Sequence, residues 1–408
     1  MSRILILSGQ LKDDFERIYP KLTKDQKLLI TSGDYVTEEK LQQLLQLFHK
    51  VILCKDYYHS PQVEIEAIKL YNKFGFSRII TPATSEFDLL RAAYLREHLG
   101  IDGQNLESAR AFRDKYLMKT IASEAGIKTP NFSKIDNIVD LFSFIKKYGY
   151  PVVIKPRFGV ASIGTHLITS AEQLEKKVNK IKIFYGKMSL LVESFIQGKM
   201  FHIDGIIEND QFFAWPSIYV YSAMDMMQGK AFANHLLSLE NPLFSTLINF
   251  AKKVLTAFPT PSSTAFHMEL FQDQNKDLIF CEVASRSGGG YVNSMWSEAF
   301  GLPLADIFYH IQAGFSGIIP NKPLNPSCIP GSIVLPKKRG KIIKIASSCP
   351  LHFVKKYRAF HISGDTTKKS SDTMEALLSA FIAGQTEEDS VEKIHEFLEW
   401  SRQSIVYQ

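Results

Sequence analysis

Two strand-like runs, Phe266-His267-Met268-Glu269-Leu270-Phe271 and Leu278-Ile279-Phe280-Cys281-Glu282-Val283-Ala284, flank the polar stretch Gln272-Asp273-Gln274-Asn275-Lys276-Asp277. Apolar runs around a turn-rich linker form an antiparallel hairpin. With the tip at Asn275 and Lys276, Glu269 falls directly opposite Glu282, and both project from one face. Directly opposed residues bring their Cβ atoms to about 4.5 to 5.5 Å, and two carboxylates that close repel unless a cation lies between them. Hard oxygen donors that leave room for phosphate and water suit magnesium carrying a nucleotide, so Glu269 and Glu282 are the candidate metal ligands. His267 shares the face of Glu269 because strand side chains alternate with period two, and Arg286 follows on the second run. The competing reading is a solvated hairpin, and a one-residue bulge at the tip breaks this register.

Upstream, residues 151–155 read as a strand closed by Lys155, and Phe158-Gly159-Val160-Ala161-Ser162-Ile163-Gly164 forms a loop to a second strand at 165–168. Such a loop brings backbone N–H groups and a lysine to one anion. It lacks the GxxxxGK[ST] pattern and is no P-loop. Lys115 stands beside Asp114 at the start of a helix over 113–125, where the helix dipole disfavours a cation; a bound phosphate resolves that tension, and a local pair with Asp114 is the plainer alternative. Glu193 ends a strand just before Phe195 and Ile196, a connection able to offer backbone groups to a base edge between apolar side chains.

The first hundred or so residues alternate strands at 3–7, 28–31, 50–54 and 78–80 with helical patterns, which implies a parallel sheet. Ser8-Gly9-Gln10-Leu11 after the first strand is no GxGxxG turn, so nicotinamide binding is not expected. A helix over 137–148 stops at Gly149, and Ser170 and Gln173 have capping-box spacing. Strands dominate from 190 onward, which suggests an antiparallel platform, with helices at 245–258, 293–300 and 386–400. A length of 408 residues suits two or three lobes with a cleft between them. The net charge of +6 is spread along the chain and names no polyanionic partner; no nucleic-acid role is expected. The basic run Lys337, Lys338, Arg339 and Lys341 around Gly340 reads as a solvated turn. Four cysteines without CxxC spacing indicate neither disulfides nor zinc. The short apolar run before Asp13, Asp14 and Glu16 is no signal peptide, and no segment is long enough to span a membrane, so a cytoplasmic location is the expectation.

In this order the motifs resemble the ATP-grasp superfamily. Arg113-Asp114-Lys115 through Pro130 looks like its DK helix, Tyr150-Pro151-Val152-Val153-Ile154-Lys155-Pro156 with the glycine loop like its phosphate-binding strand and loop, and Val192-Glu193-Ser194-Phe195-Ile196 like its hinge. Phe266 to Glu269 and Cys281 to Arg286, followed by Gly288-Gly289-Gly290, are similar to the metal strands of its carboxylate–amine ligase branch. The resemblance implies an α/β and α+β fold: a parallel-sheet domain (1–110), an α/β lid (111–190), an antiparallel platform carrying the site (191–320) and a C-terminal module (321–408). It implies ATP as cofactor with Mg2+, Mn2+ being an admissible substitute. Lys115, Lys155, Gly159, Ser162, Gly164, Glu193, Ser194, Phe195, Ile196 and His202 would hold the nucleotide. Glu269 and Glu282 would hold the metal, Arg286 and Lys155 would act in catalysis, and His267, Arg286, Ser287, Gly288 and Gly289 would face the substrates.

Ala284 stands where many members have a metal-ligating Asn, and Met200 where a ribose-contacting Glu is common. Branches resembling amino-acid ligases also lack that Asn, which points to a small-molecule carboxylate and an amine, amino acids among them, joined through an acyl phosphate. An ATP-grasp carboxylase or thiol ligase, or an ATP-binding regulator without turnover, are the alternatives. A homodimer is the commonest assembly for enzymes of this kind.

Overall fold

The computed structural model describes residues 3–10, 22–178, 189–209, 211–316, 319 and 324–408; Asp13, Asp14 and Glu16 lie outside them. Near the amino terminus four strands pair in parallel in the order Lys50–Cys54, Lys27–Ser32, Ile4–Ser8, Arg78–Ile80. Ile4–Ser8 is buried along its whole length. It therefore reads as an unbroken apolar run, because a parallel sheet carries helices on both faces. Helices Gln62–Phe74 and Phe87–Leu99 cover one face through Ala67, Leu70, Ala92 and Leu95, and Glu38–Leu47 covers the other through Leu44.

The centre of the molecule is an eight-stranded antiparallel sheet in the order Leu278–Ala284, Ser263–Asp273, Gly198–Glu208, Gln211–Tyr221, Phe232–Leu236, Ile329–Pro336, Ala376–Gly384, Val354–Ala359. Strand alternation divides its faces. Phe266, Met268 and Leu270 point to one face, where helices Phe244–Ala257 and Lys115–Glu124 bury them against Leu247, Ala251, Val254 and Met118. Ala265 points to the other, against Met295, Trp296 and Ile307 of the helices Val292–Phe300 and Leu304–Gln312. Further along that second face the alternation continues through His267, Glu269 and Phe271, and the last two line an open cavity. One strand thus holds the core with one set of residues and the site with the other.

A further sheet is four-stranded and antiparallel, in the order Phe132–Ile135, Leu190–Ser194, Val152–Pro156, His166–Ile168. Its apolar face packs Ile135, Val152, Ile154 and Val192 on Leu141 and Phe144 of helix Ile138–Tyr148 and on Leu174. Leu190–Ser194, read from the sequence as the first platform strand, therefore pairs within this sheet and not the central one. Of the carboxy-terminal strands, Ile329–Pro336, Ala376–Gly384 and Val354–Ala359 extend the central sheet, while Thr366–Thr367, Gly340–Ile345 and Ile405–Tyr407 form a small sheet of their own. Helix Glu387–Ser404 buries Ile394 and Phe397 against the first three.

Gly198 opens the strand Gly198–Glu208. A Cβ there would lie 2.0 Å from the backbone oxygen of Gln272, which no rotamer change relieves. Gly198→Ala is expected to lower stability by about 1–3 kcal/mol through loss of the terminal pairing between Gly198–Glu208 and Ser263–Asp273, measured as a fall in the urea midpoint; an unchanged midpoint contradicts this close packing.

Candidate active site

Glu269 and Glu282 are paired across the hairpin, but not by the route the sequence suggested. His267↔Ala284, Met268↔Val283 and Glu269↔Glu282 run in step; the next pair is Leu270↔Phe280, so Cys281 is the extra residue of a β-bulge. The tip is a wider turn than two residues: the Asp273 carboxylate accepts from the backbone N–H groups of Asn275 and Asp277, and Lys276 adopts a left-handed φ of 64°. The wider turn and the bulge each displace the register by one residue, and the two displacements cancel at the glutamates.

Both carboxylates open into a cavity of about 490 Å³, which also receives Lys115, Lys155, the loop from Gly159 to Ile163 and the segment from Glu193 to Met200. The resident charges form a chain. Lys155 is ion-paired with Glu193 and lies 3.7 Å from Glu282 Oε2. Lys115 Nζ is 3.4 Å from the same oxygen and donates to Gly159 O at 2.8 Å. The local Lys115–Asp114 pair does not occur: Asp114 caps the helix by accepting from Tyr116 N and is ion-paired with Arg157. Burial opposes the charge on Lys155, but Glu193 and Glu282 outweigh it and hold its pKa well above the usual lysine range. Burial likewise opposes the Glu282 carboxylate, and Lys115 and Lys155 overcome it and hold its pKa below the ordinary value.

Lys119, which the sequence reading passed over, is fully buried. It lies 2.7 Å from Glu193 Oε2 and donates to Cys281 O at 2.7 Å. Glu193 is thus a largely buried anchor between two lysines. Lys119→Met leaves Glu193 with one partner and the Cys281 carbonyl with no side-chain donor; removing one member of such a buried pair costs about 3–5 kcal/mol, read from denaturant unfolding. A loss below about 1 kcal/mol contradicts the anchoring role.

His202, expected to meet the nucleotide, is 1% exposed and does not line the cavity. It sits opposite Glu269 on the neighbouring strand, with Nδ1 2.7 Å from Asp204 Oδ2 and its ring 5.0 Å from that of Tyr219. His267 Nδ1 lies 2.9 Å from the other Asp204 oxygen, and its Nε2 3.8 Å from Glu269. Burial acts to lower the His267 pKa, but the adjacent Asp204 carboxylate outweighs it and raises it to about 10. Tyr219 donates its hydroxyl to Glu269 Oε1 at 2.8 Å, which orients that carboxylate.

Arg286 is held from a distant part of the chain: its Nε donates to Glu86 Oε1 at 3.0 Å, and Arg113 is ion-paired with the second Glu86 oxygen. Burial opposes the Glu86 charge, and Arg286 and Arg113 overcome it, holding the carboxyl below its usual range. Two expectations for the following residues are corrected. Ser287 is fully buried and donates its hydroxyl and its N–H to Ala83 O, so it faces no substrate. The Gly288 N–H is bound to Asp204 Oδ1 at 3.1 Å, and a Cβ at Gly288 would lie 2.5 Å from that oxygen, so this donor is spent inside the protein. Gly289 is exposed at the turn.

In the loop over the cavity, Ala161 and Ser162 adopt consecutive left-handed conformations, φ 52° and 60°, followed by Gly164 at 72°. Left-handed non-glycine residues are strained and gather where backbone holds a ligand. The conformation is secured from the carboxy-terminal part, where Thr373 donates its hydroxyl to Ala161 O at 3.0 Å.

Oxygens of Glu269 and Glu282 and the Cys281 sulfur all lie within 4.8 Å of one another. The two carboxylate side chains are 21% and 30% exposed. Opposed anions of this kind, open to the cavity and backed by lysines, fit a divalent cation that also carries phosphate. Ala284, facing His267, adds no third oxygen.

Residues 148–294 match the family model for the ATP-grasp domain. An L-arginine-specific L-amino acid ligase of Bacillus subtilis is 26% identical over 276 residues, 65% of this chain and 64% of that protein. The chain thus spans a little under two thirds of the length of that curated relative. The crystal structure of an L-amino acid ligase from Bacillus licheniformis superposes over 100% of this chain and 99% of its own, with a TM-score of 0.77 at 17% identity. The biotin carboxylase domain of a Hydrogenobacter thermophilus 2-oxoglutarate carboxylase, solved with MgADP and bicarbonate, covers 99% of this chain and 90% of its own at a TM-score of 0.68 and 14% identity. The fold is the ATP-grasp fold, and the chain carries an ATP-grasp domain. No helix among the described residues is long and apolar enough to cross a membrane.

Proposed function

We propose that this ATP-grasp chain is an ADP-forming ligase that activates a small-molecule carboxylate as an acyl phosphate and passes the acyl group to an amine, with amino acids as the substrate class. One observation carries the reading: Glu269 and Glu282 are opposed across the hairpin while Lys115 and Lys155 reach the same cavity. The similarity to an L-amino acid ligase supports the choice of substrates.

In this reading the adenine lies against Ser194, Phe195 and Ile196, and Lys115, Lys155 and the N–H groups between Gly159 and Gly164 neutralise the phosphates. Magnesium, held by Glu269 and Glu282, would offset charge on the β- and γ-phosphates and orient them. The substrate carboxylate attacks the γ-phosphorus in line, so that catalysis is mostly positioning and electrostatics. Arg286, fixed by Glu86, stabilises the transferring phosphoryl group and then the oxyanion formed as the amine attacks. The loop latched by Thr373 keeps water from the acyl phosphate. His267 and Gly289 border the acceptor side, and a reaction that consumes ATP fits a cytoplasmic setting.

The test is a screen for ADP and phosphate release with pairs of amino acids and other carboxylates in the presence of magnesium. Release that requires both an acid and an amine is the expected result. Release with bicarbonate and no amine moves the assignment to a carboxylase, and ATP binding without release across the panel moves it to a non-catalytic binder.

A further inference from the structure

The bulge that aligns the glutamates also changes the direction of the residue beside them. Adjacent strand residues ordinarily point to opposite faces, yet Cys281 and Glu282 both line the cavity. Cys281 is the unpaired residue between Glu269↔Glu282 and Leu270↔Phe280, and a bulged residue leaves the alternation. The residue is 7% exposed. Lys119 is bonded to its carbonyl, and among the described residues the thiol has no hydrogen-bond partner. A buried, unpartnered sulfur therefore points at two carboxylates, with one donor atom of each residue inside 4.8 Å.

We propose that Glu269, Cys281 and Glu282 form a mixed oxygen–sulfur site for a thiophilic divalent cation of the zinc or cadmium class, which displaces magnesium from the carboxylates and stops turnover. Oxygen donors alone suit magnesium, whereas a thiolate shifts selectivity toward softer ions. Zinc accepts carboxylate oxygen and cysteine sulfur at about 2.0–2.3 Å in a four-coordinate shell, and turning the two partly exposed carboxylates inward brings three such donors onto one ion. The fourth position is left to water or a phosphate oxygen. On binding, the metal–sulfur bond replaces the S–H bond and the proton leaves to solvent. Lys115 and Lys155, which face Glu282, oppose any cation at this place equally, so the thiol supplies the discrimination. The inhibition rests on the ligase reading above; the binding does not.

The experiment titrates cadmium into the full chain without nucleotide and follows the ultraviolet charge-transfer absorption of a cadmium–thiolate bond. A variant with Cys54, Cys328 and Cys349 all replaced by serine is expected to keep the band, saturating at about one ion per chain. Cys281→Ser and, as a second replacement, Cys281→Ala are expected to lose it and to bind cadmium at least about tenfold more weakly. Zinc is expected to inhibit wild-type ADP release at concentrations about tenfold lower than it inhibits the Cys281→Ser variant. Absence of the band in the wild type, or its survival in both Cys281 variants, overturns the site. A band that depends on Cys281 in a chain showing no ADP release upholds the site and counts against the ligase reading alone.

Discussion

Glu282→Gln is expected to lower acid- and amine-dependent ADP release by about a hundred- to a thousandfold, the usual cost of deleting one preorganised electrostatic contact at a reacting centre, while the chain still folds. The substitution keeps size and shape and removes only charge. That charge faces Lys115 at 3.4 Å and Lys155 at 3.7 Å on one side and opposes Glu269 on the other, so its loss leaves Lys115 without its carboxylate and a cation with a single carboxylate. The fold tolerates the change because Lys155 keeps its pair with Glu193, and because the Glu282 side chain is 30% exposed; a partly solvated contact of this kind is worth about 1 kcal/mol. Activity lost with the urea midpoint unchanged is the signature of a site residue. Retention of full activity removes Glu282 from the metal site.

The second large effect is expected at Arg286. Its guanidinium is fixed by two contacts on Glu86 and by a bond to Ser287 O, which aims a rigid, permanently charged fork rather than a mobile ammonium. Arg286→Met is expected to lower kcat by about a hundred- to a thousandfold. Arg286→Lys should recover little of it, because a point charge cannot hold both Glu86 and a transferring phosphoryl group. Glu86 stays paired with Arg113 in both variants, so the amino-terminal domain remains attached and the nucleotide affinity changes far less than kcat. If Arg286→Lys restores wild-type turnover, the guanidinium geometry is irrelevant and the proposed role fails.

The sequence reached the paired glutamates through local chemistry: period-two alternation in Ser263–Asp273 and a turn-forming linker are both written in neighbouring residues. It placed the hairpin tip incorrectly, since the Asp273 carboxylate caps a wider turn and Cys281 bulges out of the ladder, and apolar alternation announces neither. Non-local pairing also hid the sheet to which Leu190–Ser194 belongs and the continuation of the central sheet into the carboxy-terminal strands. An apolar run announces a strand and says nothing of its partner. Lys119 escaped notice because a lysine in an amphipathic helix is ordinarily solvated, and its buried carboxylate partner lies 74 positions away in Glu193. Glu86 is more distant still, 200 residues from Arg286. Asp204 did leave a signal: an acid amid the apolar residues of Gly198–Glu208 requires a buried partner, and two histidines and the Gly288 N–H supply it. His202 and Ser287 were assigned outward roles by resemblance alone, and burial turned both inward.

The most direct measurement follows an oxygen atom. With the acid identified by the release screen and labelled with oxygen-18 in its carboxylate, attack on the γ-phosphorus carries a carboxylate oxygen into the phosphate that is later released. Mass spectrometry of that phosphate is expected to find the label transferred from the acid once per turnover. Unlabelled phosphate, accompanied by normal product formation, would mean that no acyl phosphate forms and that the cavity around Glu269, Glu282, Lys115 and Lys155 performs a different chemistry.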